Sequence, residues 1–217
     1  MNIRYREAVP EDAGTIVTFY NAVGGETHFL SFEKDEYPLN AEQQALEIRQ
    51  ITSHPACAMI LAIAGEAIAG IGTIRSGNKI KSRHCGELGI VVAKAYQKQG
   101  IGTEIMERLI TFCRENGITK RIQLELDAGN EVAHELYRRF GFTEEGVLRN
   151  ATCLNGEYRD IIVMGRLLEE SRNRGTEWEK RKKQVFINRI TGSCGGNPME
   201  RSGYLPTGET LTRRKKS

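Results

Sequence analysis

The sequence predicts an α/β domain, and three observations carry that reading: apolar residues alternate in pairs over several short runs, they recur every three or four residues over others, and turn signals separate the two kinds. Ile3 to Glu7 alternates and reads as a strand. Pro10-Glu11-Asp12 opens a helix to about Val23, because proline fits a first turn and acids suit the positive helix end; Gly24-Gly25 stops it. Glu26 to Leu39 is irregular, with Phe29, Phe32 and Tyr37. Asn40 with Gln43 three residues later forms a capping box and starts a helix to about Ser53.

Two apolar runs follow, Ala58–Ala64 and Ala67–Ile74, split by Gly65-Glu66; they read as a hairpin of buried strands. Glu87 to Val92 is a further strand. Ile101, Ile105, Leu109 and Cys113 recur every four residues on an amphipathic helix that Asn116-Gly117 ends. Ile122, Leu124 and Leu126 alternate within Arg121–Leu126, a strand. Val132, Ala133, Leu136, Tyr137 and Phe140 form a second helical stripe, stopped by Gly141. Asn155-Gly156 then joins two extended segments, Glu145–Cys153 and Glu157–Leu167, as a tight hairpin, because both turn positions require positive φ. The order is β-α-α-β-β-β-α-β-α-β-β.

Composition excludes several classes. Hydrophobic residues make up 39% and charged residues 27% of the 217, the balance of an ordinary soluble protein. The longest apolar stretch, Ala56–Ala64, is too short to span a bilayer, and the N-terminus has no apolar signal core, so a cytoplasmic location with no membrane partner is expected. Cys57, Cys85, Cys113, Cys153 and Cys194 include no C-x-x-C pair, and His28, His54, His84 and His134 show no ligand spacing; neither a disulfide framework nor a metal site is expected.

Charge is uneven along the chain. Residues 171–217 hold 12 Lys/Arg against 4 Asp/Glu, whereas residues 1–170 hold 19 against 24. The domain therefore reads as residues 1–168, and 169–217 as a basic tail of disordered composition. Its runs Lys180–Lys183 and Arg213–Lys216 could pair with RNA or another polyanion. The alternatives are a solvated extension without a role and an aberrant reading frame.

The chemistry centres on Gln97-Lys98-Gln99-Gly100-Ile101-Gly102, between a strand and a helix. Glycines allow close approach to the backbone, and the free N–H groups of a first helical turn, with the helix dipole, favour an anion. Lys98 adds positive charge. The loop reads as a phosphate or pyrophosphate cradle. It is neither the dinucleotide fingerprint nor a Walker loop, since Thr103-Glu104 follow Gly102.

Three stretches in order resemble the GNAT superfamily of N-acetyltransferases: the strand Glu87–Val92, the loop Gln97-x-x-Gly100-x-Gly102, and Asn130-x-x-Ala133-x-x-Leu136-Tyr137-x-x-x-Gly141-Phe142. Glu145-Gly146-x-x-Arg149 followed by Gly156-x-Tyr158-x-Asp160-x-x-x-Met164 resembles its bacterial small-acceptor and ribosomal-protein acetyltransferase branch. The resemblance covers about residues 1–168 and implies a mixed, mostly antiparallel sheet flanked by helices, the acyl-coenzyme A N-acyltransferase fold. It implies acetyl-coenzyme A as co-substrate. Backbone groups of Ile90, Val91 and Val92 would pair with the pantetheine arm, amides from Gln97 through Lys98, Gln99, Gly100, Ile101 and Gly102 to Thr103 would hold the pyrophosphate, and Asn130, Ala133 and Tyr137 would line the arm and thiol end.

The reaction then requires a base or water relay for the protonated amine, donors for the developing oxyanion, and a proton for the departing thiolate. Glu87 is the candidate base, with a solvated strand carboxylate as the alternative. Tyr137 is the candidate acid, with a core tyrosine as the alternative. Glu26, Phe29, Glu33 and Glu36 from the irregular loop, with Tyr158 and Asp160 from the last hairpin, are candidates to shape the acceptor site; an acidic lip would suit an amine. His28 and His134 read as surface or packing residues. The function expected is transfer of acetyl to a primary amine by direct attack in a ternary complex, with a protein N-terminus, a polyamine, another small amine or an amino-acid-like antimetabolite as acceptor. The alternative is a noncatalytic acyl-coenzyme A sensor on the same fold, and a homodimer is compatible with either.

Overall fold

The computed structural model describes residues 2–168. The basic tail expected over 169–217, with its Lys/Arg runs and Cys194, lies outside the described residues. The elements are β1 (Ile3–Glu7), α1 (Ala13–Gly24), α2 (Ala41–Ser53), β2 (Ala58–Ala64), β3 (Ala67–Ser76), β4 (Cys85–Val92), α3 (Ile101–Glu115), β5 (Arg121–Asp127), α4 (Glu131–Arg139), β6 (Thr143–Leu154) and β7 (Glu157–Leu167). The order is the one the sequence patterns imply.

The strands form one seven-stranded sheet in the order β1-β2-β3-β4-β5-β7-β6. Every neighbouring pair is antiparallel except β4 and β5, which run parallel. That junction is where the chain crosses over through α3, as a parallel pairing demands. Helices α1 and α2 cover one face through Ile16, Phe19, Ile48 and Ile51, against Leu61 and Ile71 of the sheet. Helices α3 and α4 cover the other through Ile105, Leu109 and Tyr137, against Ile122, Leu124 and Met164. β2 is buried along its whole length, which is why Ala58–Ala64 is an unbroken apolar run.

Small residues on β3 set the depth of α3. A Cβ built on Gly72 would lie 2.9 Å from Leu109 Cδ1 and closer still to Ile105. Glycine here allows the helix to pack directly on the sheet backbone.

Boundaries differ from the sequence reading in places. Pro10–Asp12 forms a separate 3₁₀ turn, and α1 starts at Ala13. The Asp12 carboxylate accepts Arg6 Nη1–H at 2.6 Å, Arg6 Nη2–H at 2.7 Å and Val9 N–H at 2.8 Å. It fastens the end of β1 to this turn. β3 extends to Ser76 and β4 begins at Cys85, because Ser76 pairs with Gly86 there. The Asn40–Gln43 capping box is present in both directions, at 2.9 and 3.0 Å. Asn155 and Gly156 have φ of 51° and 84°, as the hairpin turn requires.

Candidate active site

The sheet opens at its one parallel junction. β4 stays paired with β3 from Gly86 to Val92, but with β5 only over Cys85, Gly86 and Glu87. β5 meanwhile stays with β7 as far as Asp127 opposite Ile161. From Leu88 onward β4 and β5 part, leaving a wedge in the sheet.

Backbone phase decides what faces that wedge. Ala93 N–H donates to Ala69 C=O at 3.0 Å, so Val91 and Gly89 are the residues that exchange hydrogen bonds with β3. The N–H and C=O of Ile90 and Val92 turn to the side β5 has left. Val92 C=O accepts Gln97 Nε2–H at 3.2 Å. Of the three residues expected to pair with a pantetheine arm, Ile90 and Val92 have suitably directed backbone groups, while those of Val91 are turned to β3.

The loop after β4 is shaped by two left-handed residues, Lys98 at φ 59° and Gly100 at φ 81°. Positive φ on a lysine is strained, and such residues cluster where a backbone is held for a ligand. Gly100 is the N-cap of α3 and supplies no side-chain cap. Its C=O accepts Glu104 N–H at 3.0 Å, so the amides of Ile101, Gly102 and Thr103 are the open donors of the first turn. Gln97 and Gln99 tie the loop down, giving their side-chain amides to Val92 C=O and Ala95 C=O. A Cβ on Gly100 would meet nothing within 4 Å, so its glycine answers to backbone shape and to whatever occupies the space outside. The open amides, the free space over Gly100 and the positive end of α3 fit a pyrophosphate.

Helix α4 closes the other flank of the wedge. Asn130 caps it, accepting Ala133 N–H at 3.2 Å on Oδ1, which leaves Nδ2 for other partners. Ala133 and Tyr137 lie one turn apart on the inner stripe, in contact with the core shared with α3. Burial pushes the Tyr137 hydroxyl up to about 12. The phenol therefore keeps its proton at neutral pH. Its ring packs at 5.9 Å from that of Phe142.

The face of the sheet under α1 and α2 carries the charged residues. Leu88, Ile90 and Val92 point toward α3, so Glu87 points the other way; Ile122, Leu124 and Leu126 likewise send Gln123, Glu125 and Asp127 to the α1/α2 face. Glu87, Gln123, Leu124, Glu125 and Val163 line a small pocket at the root of the wedge. Farther along β5, the buried Asp127 accepts Gly129 N–H at 2.8 Å and Arg159 Nη1–H at 3.2 Å. The Arg159 guanidinium lies 5.9 Å over the Phe29 ring. Phe29 thus joins this face, from the loop between α1 and α2.

The other loop candidates have local partners. Glu26 Oε2 accepts Lys94 N–H at 2.8 Å and ties the loop to the end of β4. Glu36 Oε2 accepts Glu33 N–H at 3.0 Å, and Glu33 faces His28 at 3.8 Å. Asp160 Oδ1 accepts Asn150 N–H at 2.9 Å, at the irregularity between β6 and β7. Tyr158 is 68% exposed on the hairpin arm. His134 Nε2 lies 2.8 Å from Glu144 Oε1 on the surface. Glu125, Asp127 and Arg159 were not singled out by sequence reasoning. The alternation of β5 carries a signal for the first two, since Glu125 and Asp127 each follow a core leucine on the opposite phase of the strand.

The geometry thus provides an anion cradle, an open strand edge and a protonated phenol around one gap. The sequence profile of the acetyltransferase (GNAT) family matches residues 26–142, more than half of the chain. The chain belongs to the acetyltransferase (GNAT) family. Family membership makes it an acetyl-coenzyme A-dependent N-acetyltransferase. It is 25% identical to the L-amino acid N-acetyltransferase AaaT of Escherichia coli over 118 residues, 54% of this chain and 73% of that protein. Alignments to several other curated relatives cover half or less of those proteins. A GNAT-family acetyltransferase from Streptococcus pneumoniae superposes with a TM-score of 0.75 at 32% identity, over 77% of this chain and all of that one. The yncA structure from Salmonella typhimurium, solved with its cofactor acetyl-coenzyme A, shares the fold at 18% identity, with a TM-score of 0.69 over 81% of this chain and 99% of that one. Among the described residues no helix is long and apolar enough to cross a membrane.

Proposed function

We propose that the chain acetylates a primary amine by direct transfer in a ternary complex, with donor and acceptor entering from opposite faces of the sheet through the wedge between β4 and β5. The short β4–β5 pairing carries this reading, because it leaves the Ile90 and Val92 backbone groups open beside both faces. Residues 1–168 are the catalytic domain in this reading, and 169–217 an appended basic tail.

The amides of Ile101, Gly102 and Thr103 would hold the donor pyrophosphate, and the β4 edge its extended arm. Bound acetyl-coenzyme A supplies an activated thioester. Glu87, on the α1/α2 face, takes a proton from the acceptor ammonium directly or through water, since such an amine is protonated near neutral pH with a pKa of about 10. The freed nitrogen forms the C–N bond as the C–S bond breaks, and the second proton it then carries passes to water. Ile90 N–H would donate to the negative charge developing on the carbonyl oxygen. Tyr137, still protonated, would give its proton to the departing sulfur and regain one from solvent. Glu26, Glu33, Phe29 and Tyr158 form the outer acceptor side in this scheme, with Glu26 acting through the loop it anchors.

Relatives of this chain are named for acetylation of amino acids, spermidine and ribosomal proteins. A small or peptide amine is the acceptor class this supports. The test is coenzyme A release by the full chain over peptide N-termini, polyamines and amino acids, with acetyl-coenzyme A binding followed by calorimetry. Turnover on at least one amine is expected. Tight donor binding with no turnover on any amine would instead mark an acyl-coenzyme A sensor.

A further inference from the structure

We propose that Arg159 is a specificity-determining residue that binds a carboxylate on the acceptor, so that the preferred acceptor is a small amine carrying a carboxylate, an amino acid in the simplest case. This rests on the acetyl-transfer reading and narrows its substrate class.

Two contacts hold the Arg159 guanidinium in place, and a third holds one of its partners. Asp127, 6% exposed, accepts one of its Nη1–H groups at 3.2 Å. The Asp127 carboxylate is itself fixed by Gly129 N–H at 2.8 Å, so it cannot swing away. The ring of Phe29 lies beneath the guanidinium at 5.9 Å. Arginine has five N–H donors, and among the described residues only this one hydrogen bond engages them. The side chain is one-third exposed. A guanidinium held on one edge by a buried acid and on its flat side by an aromatic presents its free edge as a fork. That fork matches a carboxylate, with two parallel hydrogen bonds.

Its position gives the fork a purpose. Asp127 and Glu125 are two residues apart on β5 and share one face, a separation of about 7 Å along the strand. Glu125 lines the pocket at the root of the wedge with Glu87, where the ammonium group of an acceptor would find two carboxylates. Two acids at one end and an arginine at the other make a polarised seat. A compound with a cation and an anion a few bonds apart fits it. A diamine would bring its second cation to Arg159 and be repelled.

The experiment compares L-amino acids with their own carboxamides and with linear diamines, using the full chain and coenzyme A release. Wild-type protein should prefer the acid over its carboxamide by about 10- to 100-fold in kcat/KM, the value of a charge-assisted hydrogen-bonded pair. In Arg159→Gln that preference should collapse through KM for the acid, with acetyl-coenzyme A affinity held. Arg159→Lys, which keeps the charge and loses the fork, should fall between. A merely structural arginine would depress acids and carboxamides together, and that result overturns the proposal. Wild-type protein that acetylates carboxamides, diamines or peptide N-termini as well as free amino acids also overturns it, while acetyl transfer stands. Failure of the wild-type protein to turn over any amine removes both readings before any Arg159 variant is made.

Discussion

Glu87 and Tyr137 stand on opposite faces of the same sheet, and the gap between β4 and β5 is the opening beside both. In the proposed reaction a base and an acid so divided would serve different partners, one the incoming amine and the other the departing sulfur. Glu87→Gln and Tyr137→Phe should therefore each lower kcat by about 10²- to 10⁴-fold, the range for a positioned acid or base, and leave acetyl-coenzyme A affinity within a few-fold. Pre-steady-state and steady-state rates with calorimetry on the same preparations check this. Tyr137→Phe protein with wild-type turnover would reduce that residue to packing.

The Tyr137 hydroxyl also makes a prediction about pH. Burial raises its pKa to about 12, so the folded protein keeps this proton where an unfolded chain has lost it above about 10. Its contribution is fully present below pH 10 and falls as pH climbs toward 12. Thermal denaturation should show stability dropping across that window, and Tyr137→Phe should flatten part of the drop. A profile identical in both proteins would contradict the assignment.

The cradle makes a paired prediction from two glycines. Gly100 has φ 81°, a conformation that costs other residues about 1–2 kcal/mol, and it faces open space where a ligand would lie. Gly102 has ordinary φ, and an added Cβ would sit 3.5 Å from Leu136 Cδ2. Gly100→Val should weaken acetyl-coenzyme A binding by more than tenfold. Gly102→Ala should change it by no more than about threefold. Equal affinities for both variants and wild type would detach the loop from donor binding.

Acid should loosen the fold at two fixed points. The hydrogen-bonded Arg6 guanidinium holds the Asp12 carboxyl below its ordinary 3.8, and Arg121 holds Glu145 below its ordinary 4.5. A depressed folded value gives stability that is present above the unfolded pKa and lost as pH falls through the folded one. Asp12→Asn should destabilise by roughly 1–3 kcal/mol near neutral pH and weaken the acid dependence below about pH 4. Chemical denaturation at pH 7 and pH 3 measures both.

Core packing is tested by Gly72→Ala. The new methyl group would run into Ile105 and Leu109, and overpacking of this kind costs about 1–3 kcal/mol. The melting temperature should fall by several degrees. An unchanged melting temperature would mean that α3 lies farther from β3 than described.

The element order was legible in the sequence because each element announces itself locally. Asn40 and Gln43 carry both halves of a capping box, and Asn155-Gly156 a hairpin turn. The apolar spacing of Ile101–Cys113 marks a helix face directly. The wedge was not legible from local signals. It arises because β5 pairs with β7 along its length and leaves β4 after three residues, a choice made by strands far apart in the chain. Phe29, Asp127 and Arg159 come together for the same reason, from a loop, a strand and a hairpin that lie far apart in sequence. Conversely, Glu26 and Asp160 looked available because a sequence does not show that a backbone N–H elsewhere has already claimed a carboxylate. The Gln97–Gly102 loop could be singled out because the donors of an anion site there would be consecutive backbone groups.

The parting of β4 from β5 has a further meaning for the life of the protein. A ladder with missing rungs is an unfinished sheet, and the amides along its open edge should exchange with solvent sooner than their neighbours paired to β3. A donor that lay along that edge, as proposed, would complete the ladder as it bound, so donor concentration and durability would become coupled. At a donor concentration a hundredfold above Kd, the linkage adds about 2.7 kcal/mol to folding, enough to delay proteolysis as well as unfolding. Without donor, the same chain should be a softer target for proteolysis.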